Sequence, residues 1–145
     1  MNFSLKQRIY WQDDELILSL QWKYSNGKLG KKYGKVNQAK LSSDNNEIIL
    51  DKNECIIKVI LYKDRRLIDN DYASKIDHKT ELIVGITFQT NMNKNYSIGT
   101  HSETSHTEQY PGYCVGHITG LAGGYIDSLQ VFWYKIEEKR RSIVL

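Results

Sequence analysis

The chemistry-bearing residues of this chain gather most tightly in Gly120-Leu121-Ala122-Gly123-Gly124-Tyr125-Ile126-Asp127. Gly123 and Gly124 let the backbone turn sharply and let a ligand approach it closely. The amides that follow can then point outward as donors. Asp127 adds a carboxylate acceptor, and Tyr125 adds a flat amphipathic ring. Donors, a two-oxygen acceptor and a ring converging on one loop suit a polyhydroxylated ligand such as a sugar. The plainer reading is a glycine hairpin whose Asp satisfies its own turn, and local chemistry alone favours it.

Other constellations are weaker. Lys28, Lys31, Lys32, Lys35 and Lys40 form a basic stretch with no acidic residue between them, and Lys135, Lys139, Arg140 and Arg141 form another. Such runs are usually solvated faces. The sharper alternative, centred on Lys28, Lys31, Lys32 and Lys35, is an anionic partner: a sulfated glycan or an acidic membrane surface. Nucleic acid is not expected. The net charge is only +3, and aromatic stacking platforms are not interleaved with the basic residues. His101, Glu103, His106 and His117 lack standard ligand spacing, so no metal and no other cofactor is expected. Cys114 and His117 stand three apart, on opposite faces of any strand, and make a poor nucleophile–base pair. No enzyme chemistry follows.

The elements that must position these residues read as strands. With 145 residues, one domain is the expectation over 1–145. A 40% hydrophobic content suffices for one core, and no apolar run reaches the roughly 18 residues of a membrane-spanning helix. No long segment holds a helical period. Three runs share one pattern: Glu15-Leu16-Ile17-Leu18-Ser19-Leu20-Gln21-Trp22, then Glu54-Cys55-Ile56-Ile57-Lys58-Val59-Ile60-Leu61, then Glu81-Leu82-Ile83-Val84-Gly85-Ile86-Thr87-Phe88. A fourth, Ile126 to Trp133, fits more loosely and repeats Ser-Leu-Gln from the first. Unevenly spaced strand repeats with polar turns between them predict a closed or multi-sheet all-β body.

The turns follow from their residues. Asn26-Gly27 suits a tight hairpin turn, since both residues tolerate positive φ, and Gly30 and Gly34 predict a further bend. Asp51-Lys52-Asn53 closes the strand Glu47 to Leu50. Lys63 to Lys79 predicts an extended loop or a hairpin of weak strands, and Asn91 to Asn95 a polar turn. The amino terminus, Met1 to Asp14, has no apolar signal region, so the expectation is a cytoplasmic protein or a chain cut from a longer one. On that basis Cys55 and Cys114 are expected as reduced, packed thiols, with a disulfide as the lesser alternative.

From about Glu15 to Tyr134 the chain resembles the jacalin-related lectin domain. Leu18 to Gly27 resembles that family's early strand and turn, and Ile48 to Val59 its acidic-turn-and-strand passage. Ile83 to Asn91 resembles a further strand, and Gly99 falls where the family has a glycine. Val115 to Trp133 matches best, with Gly120, Gly123, Tyr125 and Asp127 in register. The resemblance implies a β-prism I fold: three antiparallel sheets of about four strands with pseudo-threefold symmetry. It also implies sugar binding by a G-x-x-x-D loop. Asp127 would accept from two adjacent hydroxyls, while the amides of Gly124, Tyr125 and Ile126 donate to ring and hydroxymethyl oxygens. The implied partner is a glycan or glycoprotein, with self-association of the chain left open.

Two departures stand against this. No glycine precedes Gly27, so the family's glycine-rich opening and first strand look missing or rewritten, and Leu61-Tyr62-Lys63 lacks an expected glycine. The alternative function is therefore a protein-interaction scaffold, or an anionic-surface-binding domain, that keeps the prism and has lost the sugar.

Overall fold

A computed structural model describes residues 8–13, 17–24, 26–34, 46–67, 79–122 and 126–136. Their elements are ten strands: β1 (Arg8–Asp13), β2 (Ile17–Lys23), β3 (Leu29–Gly34), β4 (Asn46–Ile49), β5 (Ile56–Leu67), β6 (Lys79–Thr90), β7 (Asn95–Gly99), β8 (Thr104–Glu108), β9 (Tyr113–Ala122) and β10 (Ile126–Lys135). Every ladder between them is antiparallel. Sheet A has the order β3-β2-β1-β4, and sheet B has the order β7-β6-β5-β8. The second order is the first shifted by four strands, so one Greek key is built twice. Sheet C, among the described residues, holds β10-β9, the counterpart of β2-β1 and β6-β5.

This alignment of strands re-sorts the sequence repeats. The runs beginning at Glu15 and Glu81 are β2 and β6, the second strands of their keys, and the looser fourth run is β10 in the same place. The run at Glu54 is the odd one. It enters β5, a first strand, and pairs with the third run, Val59 facing Phe88 and Leu61 facing Ile86. Ser19-Leu20-Gln21 and Ser128-Leu129-Gln130, by contrast, are true structural counterparts.

The core is assembled in triplets from these counterparts. Ile17, Ile83 and Ile126 form one, at 0%, 1% and 0% exposure. Trp22, Phe88 and Val131 form another, facing Ile9, Val59 and Ile118 across their hairpins, and all six are buried. Trp22 meets Phe88 edge-on at 6.2 Å, an arrangement aromatic quadrupoles favour. Burying such side chains contributes about 1.5–3 kcal/mol each, which makes this shared interior the main source of stability.

Several local expectations are corrected. The first strand is present: β1 pairs with both β2 and β4, and Ile9 is fully buried, so the opening is rewritten in sequence yet retained in structure. Gly30 and Gly34 lie within β3 rather than at a bend. At Gly30 a Cβ would come within 3.3 Å of the Tyr24 ring, so the missing side chain makes room for that ring. In the β2–β3 turn Gly27 has positive φ, at 88°, and Asn26 does not. Asn26 instead accepts a hydrogen bond from the Lys28 amide through its side chain at 2.9 Å.

The cysteines are also corrected. Cys55 and Cys114 form a disulfide. They precede or open β5 and β9, the equivalent first strands of neighbouring keys, and those strands come together with Cα atoms 5.9 Å apart, within bridging range. The 63–79 stretch is in part a hairpin, with β5 and β6 paired out to Leu67 and Lys79. The Asp51 and Asn91 turns form as expected: the Glu54 amide donates to Asp51, and the Asn93 amide to Thr90.

Candidate functional site

The G-x-x-x-D segment joins β9 to β10. Gly123, Gly124 and Tyr125 lie outside the described residues. Ala122 and Ile126 face each other across the base of the connection. The Ile126 side chain is fully buried and anchors that base in the core, so only its backbone is available to a ligand.

The register then breaks. Ile126 faces Ala122 and Ser128 faces Leu121, so Asp127 is the extra residue of a β-bulge. Bulges bend a strand and re-aim a residue, and they are favoured beside binding sites. The same bulge recurs in the other two keys. Gln12 and Asp13 face Ser19 and Ile17, which leaves Leu18 as the extra residue of β2. Tyr62 and Lys63 face Gly85 and Ile83, which leaves Val84 as the extra residue of β6. The position is thus occupied by Leu18, Val84 and Asp127 in turn. Val84 is fully buried, and its carbonyl accepts from the Thr100 amide at 3.0 Å. The fold uses this bulge three times, and the third copy carries a carboxylate where the others carry aliphatic residues.

The basic stretch is divided by its strand. Lys28, Lys31 and Lys32 are exposed, and Lys35 lies outside the described residues. Lys31 extends over the Tyr33 ring, its Nζ 5.9 Å from the centroid, whereas Lys32 is paired with Gln21. Strand alternation sends these two neighbours to opposite sides of the sheet.

The histidines are dispersed as well. His101 stacks on Tyr62 at 4.3 Å and His117 on Phe132 at 4.4 Å, while His106 Nε2 lies 3.3 Å from Glu108 Oε2. Among the described residues no group of three His, Cys, Asp or Glu side chains could hold a metal ion.

One feature has little trace in the sequence. A cleft of about 430 Å³ opens where β8, at the edge of sheet B, meets β10. Leu61, Ile83 and Leu129 line it together with Lys63, Thr104, Ser105, His106, Glu108 and Ser128. The alternation Thr104, His106, Glu108 on one side of β8 is its one sequence signal. The meeting of that side with β10 has none. Glu108 is already engaged: the Trp133 indole N–H donates to its Oε1 at 2.9 Å. Where sheets A and C meet, burial raises the Tyr24 pKa above its ordinary value, helped by the nearby Tyr33 and Tyr134 phenols.

A sequence profile described as the Jacalin-like lectin domain matches residues 3–132. The comparison with curated protein sequences matched none of them. Solved structures share the fold. A mannose-binding lectin from champedak superposes with a TM-score of 0.70 at 20% identity, covering 90% of this chain and 83% of its own. The artocarpin–mannotriose complex gives 0.71 at 19% identity, covering 92% and 86%. A mannose-binding jacalin-related lectin from Ananas comosus gives 0.70 at 17% identity, covering 91% and 83%. With the profile spanning nearly the whole chain and the Greek keys repeated in the sheets, the chain belongs to the jacalin-like lectin domain family, a family of non-enzymatic carbohydrate-binding proteins.

Proposed function

We propose that this domain is a lectin that holds a glycan at the loop Gly123–Asp127. The observation that carries the reading is the bulge at Asp127. Three equivalent bulges exist, and a carboxylate-bearing residue replaces Leu18 and Val84 in one alone. A purely structural role would be met by an aliphatic residue there, as it is twice elsewhere. Asp127 has the two oxygens needed to accept from vicinal hydroxyls. The amides of Gly124, Tyr125 and Ile126 supply donors for ring and hydroxymethyl oxygens. Charged acceptors make the stronger hydrogen bonds of such a site.

Structural neighbours at under a quarter identity include lectins that bind mannose and a complex with mannotriose, so a mannose-containing glycan is the first ligand to try. The test is a glycan array with the purified domain, followed by titration of methyl-α-mannoside into wild type and Asp127→Ala. Binding that Asp127→Ala loses while remaining folded supports the reading. A blank array together with a protein complex recovered from cells would replace it with the scaffold reading.

A further inference from the structure

We infer that the cleft between β8 and β10 takes a carboxylate-bearing sugar, and that Lys63 receives its charge. Leu61, Ile83 and Leu129 supply an apolar lining for the C–H face of a sugar ring, while Thr104, Ser105 and Ser128 supply hydroxyls able to donate or accept. Three charged or titratable residues line the same cleft, and two are spoken for. Glu108 accepts from the Trp133 indole through Oε1 and faces His106 through Oε2. Lys63 lies across from Ile83 in the β5–β6 ladder and makes no side-chain ion pair or hydrogen bond among the described residues. The Glu108 oxygens are engaged and the Lys63 ammonium is not, so the ammonium is the charged group left to meet a ligand, and it calls for an anionic one. The apolar lining and hydroxyls specify that the anion belongs to a sugar.

The cleft also adjoins the loop. Ser128, in its wall, directly follows Asp127, with Cα atoms about 3.8 Å apart. An acidic sugar in the cleft therefore sits beside the sugar at the loop within one oligosaccharide; this last step rests on the proposed loop site, whereas the occupancy of the cleft does not.

The test titrates sodium glucuronate into the isotope-labelled full chain at low salt and follows backbone amides by NMR. Glucuronate is expected to shift the amides of Thr104, His106, Ser128 and Leu129, while methyl glucoside and sodium acetate at equal concentration do not. Lys63→Met is expected to weaken the response about tenfold, the low end for losing a charged hydrogen-bond partner. Ser128→Tyr, which fills the cleft and keeps the charge, should abolish it. Asp127→Ala should leave it intact, and methyl-α-mannoside titrated in parallel reports on the loop separately. Four results would each overturn the inference: no shift in wild type, an equal response to acetate, an unchanged response in Lys63→Met, or its loss in Asp127→Ala, which would place glucuronate in the loop.

Discussion

The first two Greek keys and the third are built on the same pair of strands and use it differently. Leu18 and Val84 occupy the bulge in β2 and β6, and Asp127 occupies it in β10. One position further along the outward side, sheet A pairs Arg8 with Lys23 and sheet B pairs Lys58 with Gln89. Sheet C pairs His117 with Phe132, their rings stacked. The partner of the first strand differs too. Ile9 faces Ile48, which is buried, whereas Val59 faces Glu108, which borders the cleft. The bulge position is aliphatic in two keys and bears a carboxylate in the third, and the cleft bordered by Glu108 of the second key reaches the neighbouring Ser128. Binding chemistry can be added there without rebuilding the interior.

The largest effect should come from exchanging the bulge residue in the wrong key. Val84 is fully buried, so Val84→Asp places a carboxylate without a partner in the core. The expected cost is about 5 kcal/mol, a large part of the stability of a small domain. Thermal unfolding should fall by about 15 °C. A Val84→Asp domain as stable as wild type would show that the bulge tolerates charge everywhere, and Asp127 would lose its distinction.

Next is the link between the second key and the third. The Cys55–Cys114 bond closes a loop across a sequence separation of 59, and replacing both cysteines with serine should cost about 4 kcal/mol through the freed unfolded chain. The measurement is urea unfolding of the double variant beside wild type, each with and without reductant. Reductant should lower the wild-type midpoint towards that of the variant. Equal midpoints in all four samples would mean that the keys hold together by packing alone.

For Asp127→Ala the expected loss is in affinity rather than stability. Removing a charged acceptor costs about 1.5–3 kcal/mol of binding, a tenfold to hundredfold weakening. Calorimetry with a mannose-containing glycan reads this, and the unfolding temperature should stay near wild type. Unfolding of Asp127→Ala would instead mean that the carboxylate holds its own turn.

Much of this contrast between keys is legible in the residues alone. Glu15-Leu16-Ile17 and Glu81-Leu82-Ile83 share spacing because each Ile starts the buried triplet and each next residue forms the bulge. The same logic places Asp127 after Ile126. Glu54-Cys55-Ile56 matches for a different reason: an apolar strand after an acidic turn looks alike whichever strand of a key it enters. The Asp51 and Asn91 turns are legible because polar side chains beside them act on local backbone: Glu54 Oε1 accepts from the Asp51 amide, and Thr90 Oγ1 accepts from the Met92 amide. The disulfide and the cleft are not, since both depend on sheets meeting in space. No local pattern records that Cys55 lies beside Cys114, or that Glu108 receives the Trp133 indole.

The smallest expected effect concerns the seam between the first key and the third. Burial there, with the Tyr33 and Tyr134 phenols nearby, raises the pKa of Tyr24 above its ordinary 10.0. The folded state therefore keeps the Tyr24 proton to higher pH than the unfolded chain does. Below about pH 10 both states are protonated, and the group adds no pH dependence. As pH rises past the unfolded value, the unfolded chain ionises first and stability declines. The decline stops once the folded state ionises too. Because Tyr24 keeps part of its surface in water, the slope should be shallow. Urea midpoints measured from pH 8 to about pH 11 should show it in wild type, and Tyr24→Phe should flatten it. If Tyr24→Phe declines as steeply as wild type, the alkaline sensitivity arises elsewhere, and the seam between sheets A and C behaves as ordinary packing.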